Sequence, residues 1–117
     1  MTNVITAALL LAMANVESGG NSRSIGDHGK ARGHLQIHRC VIQDVNRVYS
    51  THFTHRDAHN PAKAQRIAFL YISHYASEKR LGRKPTQEDC AQVWAGGPDG
   101  WREKATLPYW RKVGGGL

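Results

Sequence analysis

The sequence predicts a mostly α domain, single and small, of about five helices with a short β excursion near residues 26–37. Apolar residues recur at helical spacing in several separate segments. Residues that open or close helices bracket those segments: Asn60-Pro61 and Thr86 at starts, Gly19-Gly20 and Gly82 at ends. One stretch, 21 to 37, holds Gly26, Gly29 and Gly33 with few apolar positions, and reads as a long loop or small hairpin. A chain of 117 residues is long enough for one modest core and too short for two.

Thr2 is expected to N-cap the first helix, whose apolar positions are Ile5, Leu9, Ala12 or Met13, and Val16. Gly19-Gly20 stops it. Glu17 therefore falls on the last turn, at the partly negative end of the helix dipole, where a carboxyl keeps its proton longer. The same residues, LLLAMANVESGGN, have a rival reading as the back half of a secretory signal, with Ala12-Met13-Ala14 as a small-x-small cleavage site. A signal should open on a positive segment, and residues 1–22 contain no Lys or Arg. The helix is the better reading.

A second helix is predicted over about 39–49, with Val41, Val45 and Val48 on one face. Asn60 as cap and Pro61 in the first turn open the longest helix, about 61–81, with an inward stripe of Ala64, Ile67 or Ala68, Tyr71, and His74 or Tyr75. Thr86 with Asp89 resembles a capping box, although Asp is shorter than the usual Glu. The helix it opens runs to about Trp94 and breaks at Gly96-Gly97-Pro98. A last short helix follows Thr106 with Pro108 in its first turn. Gly114-Gly115-Gly116 is expected to fray, so the domain is drawn as 1–113 and the tail as 114–117.

The net charge of +7 favours a polyanionic partner, whether nucleic acid, anionic membrane or acidic cell wall. No apolar run is long enough to span a bilayer. Cys40 and Cys90 lack the paired spacing of a zinc site; a disulfide between them is open in an oxidising compartment, and two free thiols are the expectation. Among the seven histidines, His34 with His38 and His55 with His59 stand four apart, yet both pairs lie in loop-like sequence and no HExxH is present. No metal and no cofactor is expected. The sequence also lacks a GxSxG elbow, a phosphate-cradling glycine loop and any helix-turn-helix, zinc-finger or RNP signature.

Carboxylate chemistry remains. Of nine acidic residues, Glu17 in VESGGN and Asp27 in IGDHGKARG lie in glycine-rich surroundings. Cleaving a glycosidic bond needs one protonated carboxyl for the leaving oxygen and a way to stabilise the sugar cation. By spacing alone, Glu17 reads better as a solvated helix end, and Asp27 as an Asx turn before Gly29.

Four motifs in order, VESGGN, IGDHGKARGHLQI, VWAGGPDGW and TLPYWRKV, resemble those of the lysozyme-like superfamily. The first half is similar to soluble lytic transglycosylases, the second to invertebrate-type lysozymes. The resemblance implies an α-rich lysozyme-like fold with Glu17 as general acid and base. It implies substrate contacts from Ser18, Gln36, Trp94, Gly96, Gly97 and Tyr109, and it puts Asp27 close to where invertebrate-type enzymes carry a second catalytic carboxylate. Ala95 departs from the Asn usual in that turn, and the chain lacks the many cysteines of the animal enzymes, which makes it look like a bacterial or phage relative.

On this reading the chain is a peptidoglycan glycosidase, lysozyme or lytic transglycosylase, acting on the β-1,4 bond between N-acetylmuramic acid and N-acetylglucosamine. Trp94, Trp101 and Tyr109 offer flat faces to sugar rings. Wall peptidoglycan is the expected partner, approached as a monomer from the extracellular or periplasmic side, with no specific nucleic acid. The rivals are a non-catalytic glycan-binding module of the same fold, suggested by Ala95, and a basic nucleic-acid-binding helical domain, suggested by charge alone.

Overall fold

The computed structural model describes residues 3–117, so the expected cap at Thr2 lies outside the described residues. Five helices of nine residues or more are present: α1 (Ala7–Ser18), α2 (Arg39–Tyr49), α3 (Pro61–Tyr75), α5 (Gln87–Gly96) and α6 (Leu107–Gly115). A single turn, α4 (Glu78–Leu81), stands between α3 and α5. Strands β1 (Ile25–Gly26) and β2 (Ala31–Arg32) pair antiparallel, Ile25 opposite Arg32, and an isolated bridge joins Arg32 to Ile37. The mostly α expectation with a short hairpin holds.

The chain divides into two compact units. One, here the middle unit, is Ala14–Tyr71; the other, the terminal unit, joins the chain up to Met13 with Ile72–Leu117.

In the middle unit, α1 ends on two left-handed glycines, Gly19 (φ 66°) and Gly20 (φ 81°). Their N–H groups donate to the Asn15 and Ala14 carbonyls, which satisfies acceptors that a helix end leaves open. Ala14, Leu35, Ile37, Val45, Ala58, Ala64, Ile67 and Ala68 are the deeply buried apolar residues. On α2 the buried positions are Ile42 and Val45, while Val41 and Val48 are half-buried. The predicted stripe was therefore rotated: the α2 apolar face centres between Ile42 and Val45, where a valine-only pattern missed the isoleucine. Asn60 caps α3 as expected, its Oδ1 accepting from the Lys63 N–H at 3.0 Å. A second capping box, Thr54 with Asp57, opens a 3-10 turn at His55–His59 that packs against β2. Gly33 makes that packing close, since a Cβ there would collide with the Ala58 carbonyl oxygen.

The long helix predicted over 61–81 is two. α3 stops at Tyr75, and Ser77, extended at ψ 153°, starts α4 by accepting the Arg80 N–H on its hydroxyl at 3.2 Å. Apolar periodicity carried across this break because a serine cap competes with helix continuation without disturbing the spacing. Arg80 secures the junction, donating to the Tyr75 and Pro98 carbonyls at 2.8 and 2.7 Å.

In the terminal unit, the Thr86–Asp89 box is complete in both directions. The Asp89 carboxylate is also gripped by Arg83, with two N–O contacts of 2.6 and 2.8 Å. Burial opposes ionisation of Asp89, but the Arg83 guanidinium and the Thr86 N–H outweigh it and hold the carboxyl below the usual range. α5 packs on the 3-10 turn at Gly100–Arg102 and on α6. The approach is tight at Gly100, where a Cβ would strike the Gln92 carbonyl oxygen. α6 begins after Thr106 with Pro108 in its first turn, and it takes in Gly114 and Gly115 of the expected tail. Both cysteines are free, Cys40 exposed in the middle unit and Cys90 buried in the terminal one. Burial pushes the Cys90 thiol up to about 12. Among the described residues no helix is long and apolar enough to cross a membrane.

Candidate functional site

The glycine pair that closes α1 fixes where Glu17 and Ser18 stand: both are half-buried on the last turn of the helix, in the middle unit. The Ser18 hydroxyl donates to the His34 carbonyl at 2.7 Å and accepts the Asn21 N–H at 3.1 Å. Ser18 thus ties the helix end to the loop after β2 and positions the neighbouring Glu17.

Gln36 stands in that loop at φ 52°, a left-handed conformation uncommon outside glycine. Its amide nitrogen donates to the Gly33 and Ser24 carbonyls at 2.9 and 3.3 Å. Its amide oxygen lies against Gly26, filling the space a side chain there would need. Gln36 therefore clamps the base of the hairpin and keeps its oxygen free of those two bonds.

Asp27 occupies the hairpin tip, in a 3-10 turn over Asp27–Gly29. Asp27 and His28 are both left-handed, at φ 49° and 57°. The exposed Asp27 carboxylate is 3.5 Å from His38 Nε2, so the tip leans on the residue that precedes α2.

Beneath the hairpin lie histidines that sequence spacing had offered as metal pairs. His34 is 4% exposed, and neither ring nitrogen has a hydrogen-bond partner. Burial lowers its pKa. His55 places Nε2 at 2.7 Å from the Ile37 carbonyl, and His59 places Nδ1 at 2.9 Å from the Ser22 carbonyl. These rings brace loops, and the described residues contain no group of three or more metal-ligating side chains. The bracing role was not legible because its acceptors are backbone carbonyls 18 and 37 residues away.

The terminal unit carries the other expected contacts. Trp94 is half-buried on α5, and Tyr109 half-buried in the first turn of α6. Gly96 ends α5 against Thr106, whose methyl group takes the space a Cβ would fill. Gly97 turns the chain at φ 84°, its N–H donating to the Val93 carbonyl at 2.9 Å. Thr106 holds the far side of this turn, accepting from Gln92 Nε2 at 2.9 Å while its hydroxyl lies 2.8 Å from the Gly100 carbonyl. Ala95 is exposed. Trp101 differs from the open sugar platform expected of it, because the Arg83 and Arg102 guanidinium groups stand over its ring at 5.8 and 5.5 Å.

No family model matches the chain. It is similar to Lysozyme 1 of Crassostrea virginica, 32% identical over 116 residues, which is 96% of this chain. The chain spans 60% of that relative's length. The similarity runs through both units and supports a lysozyme-like relationship.

Proposed function

We propose that the chain is a glycosidase of bacterial peptidoglycan, cutting the β-1,4 bond between N-acetylmuramic acid and N-acetylglucosamine with Glu17 as general acid and then general base. The observation that carries this reading is the similarity to a lysozyme across 96% of the chain. Glu17 is the acidic residue of VESGGN, and its place on a helix end closed by two glycines suits a proton donor held in a fixed position. Glu17 protonates the bridging oxygen as the glycosidic bond breaks. The sugar cation is then captured either by water, which Glu17 deprotonates, or by the muramyl 6-hydroxyl, which leaves a 1,6-anhydro end.

Asp27 is read as a brace of the hairpin tip rather than a nucleophile, because it is exposed and its carboxylate faces His38 at 3.5 Å. That favours the one-carboxylate route. Trp94 and Tyr109 supply aromatic surface for sugar packing, and Gln36 offers its amide oxygen to a substrate N–H or hydroxyl. Ser18, Gly96 and Gly97 act through the backbone geometry they impose. The action belongs outside the cytoplasm, at the wall.

The test is Glu17→Gln on purified peptidoglycan, with products identified by mass. Loss of about 10²–10⁴ in rate is expected, the usual worth of general acid catalysis. A rate within about tenfold of the parent would remove Glu17 from the role. Asp27→Asn is expected to retain most activity and to yield 1,6-anhydro products. Reducing ends in the parent, with Asp27→Asn as inactive as Glu17→Gln, would instead assign two catalytic carboxylates.

A further inference from the structure

The middle unit has a cavity of about 390 Å³ lined by His28, Gly29, Lys30, His38, Arg39 and Cys40. Two of these side chains are permanent cations, and two more gain charge on protonation. The lining contains no carboxylate, and the Asp27 carboxylate stands 3.5 Å from His38 Nε2 beside it. The left-handed turn at His28 and Gly29 (φ 57° and 87°) folds the hairpin tip back so that Lys30 and Arg39, nine positions apart, line one space.

The start of α2 adds to the same field. Its N-cap, His38, makes no side-chain capping bond, and no acidic residue stands in the first turn. The positive end of an eleven-residue helix therefore meets no side-chain anion of its own there. The lining side chains and the helix end contribute one sign, offset in part by the Asp27 carboxylate against His38. The cavity volume lies at the small end of ligand sites, about 300–1,000 Å³, ample for one charged substituent. The lining holds no Phe, Tyr or Trp on which a nucleobase could stack.

We propose that this cavity is an oxyanion site, taking one carboxylate or phosphate group carried on the wall polymer that Glu17 is proposed to cut. The anion chemistry stands on the cavity itself; its attachment to the wall rests on the glycosidase reading.

Cys40 supplies the readout, because it lines the cavity and is exposed while Cys90 is buried. Alkylation by uncharged iodoacetamide is followed by mass, in inorganic phosphate or acetate against chloride of matched ionic strength. Slowing of about threefold is expected once either anion reaches about twice its dissociation constant, by simple occupancy. Lys30→Gln combined with Arg39→Gln should abolish the slowing. Equal rates in all three salts, or slowing that survives the double substitution, would overturn the site. Stronger protection by an oligonucleotide than by phosphate at equal phosphate concentration would replace it with a nucleic-acid surface.

Wall digestion then identifies the source. The double variant is expected to lag on intact walls. If stripping the phosphate-bearing polymers removes the lag, the ligand is a phosphate; if removing the stem peptides does so, it is a carboxylate. Absence of a lag on intact walls, or a lag that persists on walls lacking both groups, would overturn the wall attachment. Glu17→Gln should keep its phosphate protection even with cleavage lost, so failure of the pocket and failure of the glycosidase assignment leave different signatures.

Discussion

His34 shows how much a single side chain can set. Its imidazole is 4% exposed with both nitrogens unpartnered, so the neutral ring fits and the charged ring does not. Burial lowers its pKa from 6.5, and burial first, then Arg39, Arg32 and His38, lowers that of His55 against the pull of the Ile37 carbonyl. Groups whose folded pKa is depressed contribute stability that is present above the unfolded value. That stability is lost as pH falls from about 6.5 through the lowered values. The melting temperature is therefore expected to drop between pH 7 and pH 5, and His34→Leu should flatten that drop. Equal slopes in parent and variant would show that the His34 ring is not responsible. Asp57 and Asp89 shift downward from 3.8, so their stability is lost only at lower pH and does not confuse the window. None of this was readable from the sequence, where His34 was simply one of a spaced pair. Glu17, by contrast, was legible in its place on the helix, since a glycine pair announces a helix end regardless of tertiary packing.

Element boundaries follow the same division between local and distant causes. The Thr86 box, the Asn60 cap and the turn at Gly97 were foreseen because each is satisfied within four residues. The α3–α4 break and the rotated α2 face were not, since local competition at Ser77 and burial on α2 leave the apolar spacing unchanged. The hairpin was foreseen from its glycines, though not the reason for Gly33. That residue combines φ 80° with an approach to the Ala58 carbonyl that leaves no room for a Cβ. Gly33→Ala is expected to cost on the order of 3–4 kcal/mol, at the high end for point changes, because backbone must move on both sides. Denaturant titration should find it. Gly29→Ala, left-handed but in open space, should cost about 1–2 kcal/mol from backbone strain alone. If the two variants proved equally stable, close approach would not be the reason for glycine at 33.

At the scale of the whole molecule, charge is the property most directly inherited from sequence. A net +7 on 117 residues should attract a polyanion from beyond contact range, and on the proposed function that polyanion is the wall. Salt screens such attraction over a Debye length of ~8 Å at physiological strength. Wall clearing by the parent is accordingly expected to slow as salt rises, whereas cleavage of a short uncharged oligosaccharide should not. Equal salt response on both substrates would assign the effect to folding or catalysis instead of approach. The four ordered motifs made the family resemblance visible, and the 32% identity to a lysozyme runs over nearly the same span. Which side chains the fold spends on bracing was hidden, because Ser18, Gln36 and His55 are engaged by carbonyls from other segments.

The contrast between the two thiols has a kinetic consequence. Cys40 faces solvent, while Cys90 is fully buried, with a thiol that stays protonated up to about 12. A reagent that needs thiolate will therefore mark the folded chain once, and a second mark must wait for the terminal unit to open. The interval between first and second labels is a clock for that opening, built into the natural sequence and needing no engineered probe.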